Sequence, residues 1–328
     1  MLFNLKSKIN CNLHQQILYV MNNSVKILGL VAIIIISSLL IFASKTKTVE
    51  ESNKTNESDK NTSETYQIRA LKVPLNLEFS GEHVPTEKAD IKERIDRELL
   101  VNTYWQSNGL LLFKRTHKYF PIIEPILEKN GIPNDFKYLA VIESGLQNVT
   151  SPAGAKGFWQ IMKGTGKENG LEINENVDER YHLEKATQVA CDYLNAAKER
   201  FGNWTMAAAA YNAGIRGITK KIEAQKVTDY YDLLLGEETQ RYVPRMVALK
   251  EILTHPKKYG FLFDQEDLYK LTPTKIIKVD TVISDIAVFS KKLGINYKVL
   301  KLHNPWLREN KLNNKSRKLY QLKIPIKN

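Results

Sequence analysis

Cysteine is scarce in this chain of 328 residues: Cys11 and Cys191 are its two. That excludes a disulfide framework, and no Cys/His spacing suits a bound metal, so neither a metal nor a cofactor is expected. Carboxylates are missing from one stretch in particular. Glu143 is followed by 24 residues, Ser144 to Lys167, that contain none. Alternating strand patterns are absent before residue 270, which points to a mainly α-helical body. Acidic residues are rare at the C-terminal end, where 14 Lys and Arg from Lys270 to Asn328 face only Asp280, Asp285 and Glu309. Almost all of the net charge of +12 therefore belongs to this piece. A basic segment suits an anionic partner, whether nucleic acid, a membrane surface or a carboxylate-bearing polymer, or else a solvated lysine-rich face.

What is present divides the chain. Residues 1–26 form an N-terminal segment, and Met21 is an alternative start. Ile27 to Ala43 is an uncharged run of 17 residues bounded by Lys26 and Lys45, short for a spanning helix and long for a signal-peptide core. We expect export, with 27–43 as a transmembrane anchor or a signal peptide. Cleavage after Ala43 has a poor partner in Ile41, and no cysteine follows that could carry a lipid. If the run spans a membrane, Cys11 and Cys191 lie in different compartments. Residues 44–66 are Lys, Thr, Glu, Ser and Asn, the composition of a disordered linker. Residues 67–268 then form one domain, its first part running extended through Pro74 and Pro85. Helical patterning is expected from about Glu87 to Leu112 and from Thr116 to Lys129, with a break or kink at Pro121 and Pro125. A long amphipathic helix is expected from Leu183 to Phe201, ended by Gly202. Residues 270–328 read as strand, helix, helix, strand. The strands are 276–279 and 320–324, and the helices are Ile283 to Leu293 and Tyr297 to His303.

Glu143 is the candidate for chemistry. Asn134 or Asp135 can cap a helix that Gly145 stops, and Phe136, Leu139, Ala140 and Glu143 then share one face. A carboxylate on an apolar stripe in the last turn of a helix is pushed towards its protonated form by desolvation and by the helix dipole. Such a group can act as a general acid. The alternative is a glutamate that turns into solvent.

Four motifs surround it in sequence. They are Glu143-Ser144; the Ser151-Pro-Ala-Gly154-Ala155-Lys-Gly157-Phe158-Trp159-Gln160 loop; Ala210-Tyr211-Asn212-Ala213-Gly214; and Glu238-Thr239-Gln240-Arg241-Tyr242-Val243. In this order and spacing, over roughly residues 110 to 255, they resemble the catalytic domain of the lytic transglycosylases, the goose-type-lysozyme-like enzymes that cut peptidoglycan. Phe158-Trp159 and the long N-terminal lead-in look most like the membrane-bound type D branch. The C-terminal piece resembles a divergent LysM-type module, with Asp280-Thr281 and the Leu302-His303-Asn304-Pro305 turn matching and Val279 standing where a glycine is usual. The resemblance implies a mainly α fold, an α+β lysozyme-like catalytic domain followed by a small βααβ module.

It also implies a reaction. Glycosidases normally use two carboxylates, and here Asp178 and Glu179 are the next candidates, placed where they would favour a helix dipole. A single acid suffices if the substrate supplies its own nucleophile. Glu143 would protonate the glycosidic oxygen and then take a proton from the C6 hydroxyl, leaving a 1,6-anhydro ring. Ser151 and Gln160 would hydrogen-bond the sugar or simply hold their loop. Tyr211 and Asn212 would stand by the acid, and Tyr242 would enter from the following helix. Glu238 would brace its helix start, Trp159 would stack on a sugar or fill the core, and Tyr104, Trp105 and Trp204 would pack. The expected partners are peptidoglycan strands and, through the N-terminal segment, a membrane; nucleic acid is not expected. The expected location is periplasmic, membrane-associated or secreted. A hydrolytic muramidase on the same scaffold and an inactive wall-binding scaffold are the competing readings.

Overall fold

The computed structural model describes residues 68–326. The expected anchor at 27–43 and linker at 44–66 lie outside the described residues. Among those described, no helix is long and apolar enough to cross a membrane.

The chain enters through a two-residue hairpin, β1 (Glu78–Phe79) and β2 (Glu82–His83), rather than as a purely extended strap. Phe79 and Val84 pin it to the core, both fully buried. Helix α1 (Ala89–Tyr104) buries Ile91, Ile95 and Leu99, one turn apart, and packs along α9 (Tyr242–Thr254). The chain then turns at Trp105 and continues as α2 (Gln106–Lys129). The break falls there and not at the prolines. Pro121 and Pro125 both sit inside α2 on its exposed side, where the carbonyls they leave unpaired can reach water. Trp105, expected to pack, is exposed, whereas Trp204 packs edge-on against Phe136 with ring centroids 5.4 Å apart.

Helix α3 (Lys137–Ser144) follows a 3-10 turn at Asn134–Phe136 and ends on Gly145 in the left-handed conformation. Neither Asn134 nor Asp135 caps it. The Asp135 carboxylate instead accepts from the Ser80 amide and from Lys250, both at 2.7 Å, and so ties the hairpin to α9. Helix α4 (Lys163–Glu168) closes the following loop. Helix α5 runs from Leu183 to Phe201 and stops at Gly202, the expected bounds. Helix α6 (Trp204–Ala213), capped by Asn203, buries Met206 to Ala210 completely. A run of small residues is what lets α5 and α9 approach it closely. Helices α7 (Ile215–Gln225) and α8 (Glu237–Gln240) complete the body. Buried side chains from β1 and from helices α1, α2, α3, α5, α6, α7 and α9 form one core.

The C-terminal piece has the expected order: β3 (Thr274–Val279), α10 (Ile286–Lys292), α11 (Tyr297–His303) and β4 (Tyr320–Pro325). The strands pair antiparallel, Thr274 opposite Pro325 and Val279 opposite Tyr320. Asn304 welds helix to strand: buried, its amide donates to the Leu300 and Lys323 carbonyls and accepts from the Lys323 amide, at 2.7–2.9 Å. This module has its own core, but Val177 and Tyr181 of the body are part of it. Backbone hydrogen bonds join the two, from Asp178 to Trp306 (2.9 Å) and from Arg308 to Asn176 (2.8 Å). The module is docked on the 172–184 segment.

Candidate active site

Glu143 lies in the last turn of α3, behind the apolar face of Phe136, Leu139 and Ala140, and is half-buried. Tyr242, 2% exposed, donates its phenolic hydrogen to a Glu143 carboxylate oxygen. Burial holds the Glu143 carboxyl above its ordinary value, and the charge of Glu238 adds to this. The Tyr242 hydrogen bond and the charge of Arg245 oppose it. Glu143 is thus a carboxylic acid under opposing pressures, which is what a group that must both give and take a proton requires. The same burial, with the Glu143 charge, pushes the Tyr242 phenol well above its ordinary range, so it remains a donor.

Tyr242 reaches Glu143 because the helix breaks just before it. The Glu238 to Pro244 segment is two helices: α8 ends at Gln240, and α9 begins at Tyr242. Arg241, at the joint, is held by Glu98 at 2.7 Å, and Arg97 donates to the same carboxylate oxygen at 2.7 Å. Glu98 is 1% exposed and paired, with Arg245 3.8 Å from its other oxygen. The sequence reading missed Glu98. Its signal was faint: a glutamate beside the Ile91-Ile95-Leu99 stripe of α1.

The loop after α3 is closed on itself. Ser144 donates to the Phe158 carbonyl at 2.8 Å, so the residue after Glu143 fixes the far side of the loop. Ser151 accepts from the Ala155 amide at 3.0 Å. Gln160 has a positive φ of 45° and donates its amide to the Gly157 carbonyl at 2.7 Å and to the Val149 carbonyl at 3.3 Å. Both polar side chains hold the loop, one of the two roles the sequence had left open. Gly157 cannot be replaced cheaply: a Cβ there would lie 2.1 Å from the Arg180 carbonyl oxygen, at a φ of +81°. Trp159 is fully buried and donates to Thr187 at 2.8 Å, so it is a core residue and not a sugar platform.

Tyr211 donates to the Trp159 carbonyl at 2.8 Å, and burial followed by the Glu143 charge raises its phenol far above the ordinary range. Asn212 accepts from Thr239 at 2.7 Å, tying α6 to α8. Glu143, Tyr211 and Tyr242 therefore share one electrostatic neighbourhood, whereas the hydrogen bonds of Ser151, Gln160 and Asn212 run to the loop and to α8. Asp178 and Glu179 do not join them. Asp178 is bound through both oxygens by Arg180, at 2.9 and 2.8 Å. Burial alone would raise its pKa, but these bonds and the Arg180 charge outweigh it and hold the carboxyl below its usual value. Glu179 pairs with Lys185 and accepts from the Glu172 amide. Both brace the segment on which the module sits. Among the described residues, no cluster of His, Cys, Asp and Glu could hold a metal ion.

Comparison with known families matches both halves of this architecture. Residues 120–234 match the transglycosylase SLT domain, and residues 275–328 match the soluble lytic transglycosylase C-terminal LysM-like domain. The two matches follow the order of the helical body and the C-terminal module. Among individual proteins, it is 35% identical over 152 residues to membrane-bound lytic murein transglycosylase D of Escherichia coli, in strains K12 and CFT073. That match covers 44% of this chain and 34% of the relative, so the chain spans about a third of the length of the curated relatives it matches. Among solved structures, the 70 kDa soluble lytic transglycosylase of E. coli is similar at 23% identity with a TM-score of 0.37. An inactive mutant of the lytic transglycosylase Slt of Pseudomonas aeruginosa is similar at 19% and 0.36. Each covers 46% of this chain and 26% of the solved one.

Proposed function

We propose that this protein is an exported peptidoglycan lytic transglycosylase that cleaves the MurNAc-GlcNAc β-1,4 bond and leaves 1,6-anhydro-MurNAc ends. The observation that carries the reading is Glu143: a carboxyl raised by burial, capped by the Tyr242 hydroxyl, beside a loop with no carboxylate of its own. Protonated, Glu143 delivers its proton to the glycosidic oxygen as the bond breaks. The resulting carboxylate accepts the Tyr242 hydrogen bond and takes the proton of the C6 hydroxyl, which closes the anhydro ring. No water is consumed. Tyr211, Asn212, Ser151 and Gln160 orient the glycan around this exchange. Export and a membrane-associated location rest on the 27–43 segment and on the membrane-bound name of the E. coli relative.

Hydrolysis is the second reading, and one observation favours it. Glu238, read from the sequence as a helix brace, is close enough to raise the Glu143 carboxyl electrostatically. It is also exposed on α8, and a second carboxylate could hold a water. The test of an enzymatic role is release of soluble fragments from isolated peptidoglycan sacculi. Wild type should release them; Glu143→Gln, folded by circular dichroism, should not. Equal release by the two proteins would end the assignment.

A further inference from the structure

Where the module meets the body, the surface opens into a cavity of about 640 Å³ between α2, the 181–184 turn, the chain entering β3 and the end of α11. A second cavity of about 280 Å³ shares Lys118, Tyr119, Asn148 and Phe158 with it and extends to Arg115 and Gln147. Together they make a trench. One end lies beside the helix that carries Glu143, since Arg115 donates to the carbonyl of Gly145, its cap, at 3.2 Å. Glu143 itself lines neither cavity.

The lining argues against a sugar. Sugars bind on free aromatic faces; here Trp306, Phe158 and Tyr181 are buried, and Tyr269, 43% exposed, has the Lys114 ammonium over its ring. Trp306 and Phe158 are each 4% exposed; Trp306 lies between His182 and Tyr320, and Tyr119 meets Phe158 edge-on. What else stands open is aliphatic and cationic. Leu302 is 67% exposed and Leu271 42%, an unusual pair for one rim. The basic groups facing the trench are Arg115, Lys118, His182, His303 and Lys323, against a single carboxylate, Glu184, and the phenols of Tyr119, Tyr181 and Tyr269. Glu184 is already engaged by His182 and Lys323. Lys118 lies over the Tyr119 ring and has no carboxylate partner among the described residues. Burial, then the charges of Lys118 and Lys323, hold the His303 imidazole below its usual value, which marks how close these cations stand. An aliphatic rim with unpaired cations suits a short acidic peptide with small apolar side chains.

We propose that the trench between the module and the body binds the carboxylate-bearing stem peptide of a glycan strand whose sugar backbone lies at Glu143. The proposal rests on the function given above. It assigns the docked module a share in substrate recognition through a wall it builds jointly with α2.

The test uses the full-length chain and two substrates: glycan strands with their peptides, and the same strands stripped of peptide by an amidase. Wild type should show the lower KM on peptide-bearing strands. Lys118→Glu should raise that KM roughly tenfold, as loss of a charged hydrogen-bond partner does, and bring the preference towards unity with little change in kcat. Leu302→Asp, at an exposed position that tolerates it, should act in the same direction. Equal KM on the two strands in wild type, or an equal loss on both in the variants, overturns the proposal. If the protein cuts neither strand, the catalytic reading fails, and calorimetry still decides the trench. A synthetic peptide with two free carboxylates should then bind Glu143→Gln protein and lose binding when Lys118→Glu is added; no binding overturns the proposal.

Discussion

Two carboxylates in this molecule, Glu143 and Asp178, are both withdrawn from solvent, and their surroundings push them in opposite directions. Around Glu143, burial dominates and its one short hydrogen-bond donor among the described residues is a neutral hydroxyl, so the proton is held more tightly than usual. Around Asp178, Arg180 supplies two short hydrogen bonds and a full charge, so the proton is held less tightly. The first arrangement costs stability and makes an acid; the second locks a loop. The difference teaches that burial pushes both carboxyls up, and that a charged partner is what reverses the direction.

Removing the acid should have the largest effect. Glu143→Gln keeps shape but cannot give a proton, and activity on sacculi should fall by roughly 10²–10⁴-fold, since general acid-base catalysis contributes about that much. A variant with a tenth or more of wild-type activity would show that Glu143 is a bystander. On the other side, Arg180→Met should leave Asp178 buried without its partner and cost about 3–5 kcal/mol of stability, read by denaturant melts. A loss below about 1 kcal/mol would show that the pair does not lock the loop.

The third test sharpens the acid. Tyr242→Phe removes the one hydrogen bond that favours the Glu143 carboxylate, so the Glu143 pKa should rise further and the alkaline limb of the pH–rate profile should move up. Activity should drop by roughly tenfold, the worth of a hydrogen bond to a charged group. A limb that stays in place would mean that Tyr242 does not govern Glu143.

The smallest effect is on stability against pH. The folded Glu143 carboxyl sits above the unfolded value of 4.5. Its contribution is therefore fully present below that pH and is lost as pH rises through the folded value. Glu143→Gln carries no such loss, so its melting temperature should gain on wild type with rising pH and converge with it in acid. Asp178 has the reverse sign: its contribution is present above the unfolded value of 3.8 and is lost as pH falls through the lower folded value. A constant offset between Glu143→Gln and wild type would contradict the burial argument.

Much of this was legible in the sequence because it is local. The apolar stripe of α5 and Gly202 set both ends of that helix, and Gly145 marked the end of α3. The four motifs brought Glu143, Tyr211 and Tyr242 together, although Glu238 and Tyr242 fall on two separate helices. What escaped was decided by distant partners. Asp135 looks like a cap and is taken by Lys250, 115 residues away. Pro121 and Pro125 look like breaks and fall on a face where the lost bonds cost little. Asp178 and Glu179 look like helix-dipole residues and instead form ion pairs in the segment that receives the module. The docking of residues 270–326 on that segment left no sequence pattern at all, since the apolar contacts come from Val177 and Tyr181, two side chains in a loop.

The central claim is that Glu143 works without a second carboxylate, and the reaction product records this directly. Mass spectrometry of peptidoglycan fragments released by the full-length protein should find 1,6-anhydro-muramic acid at the new ends, with no oxygen taken up from isotopically labelled water. Ends that are reducing muramic acid carrying the label would contradict the account and would assign Glu238, or another carboxylate, the task of holding a water.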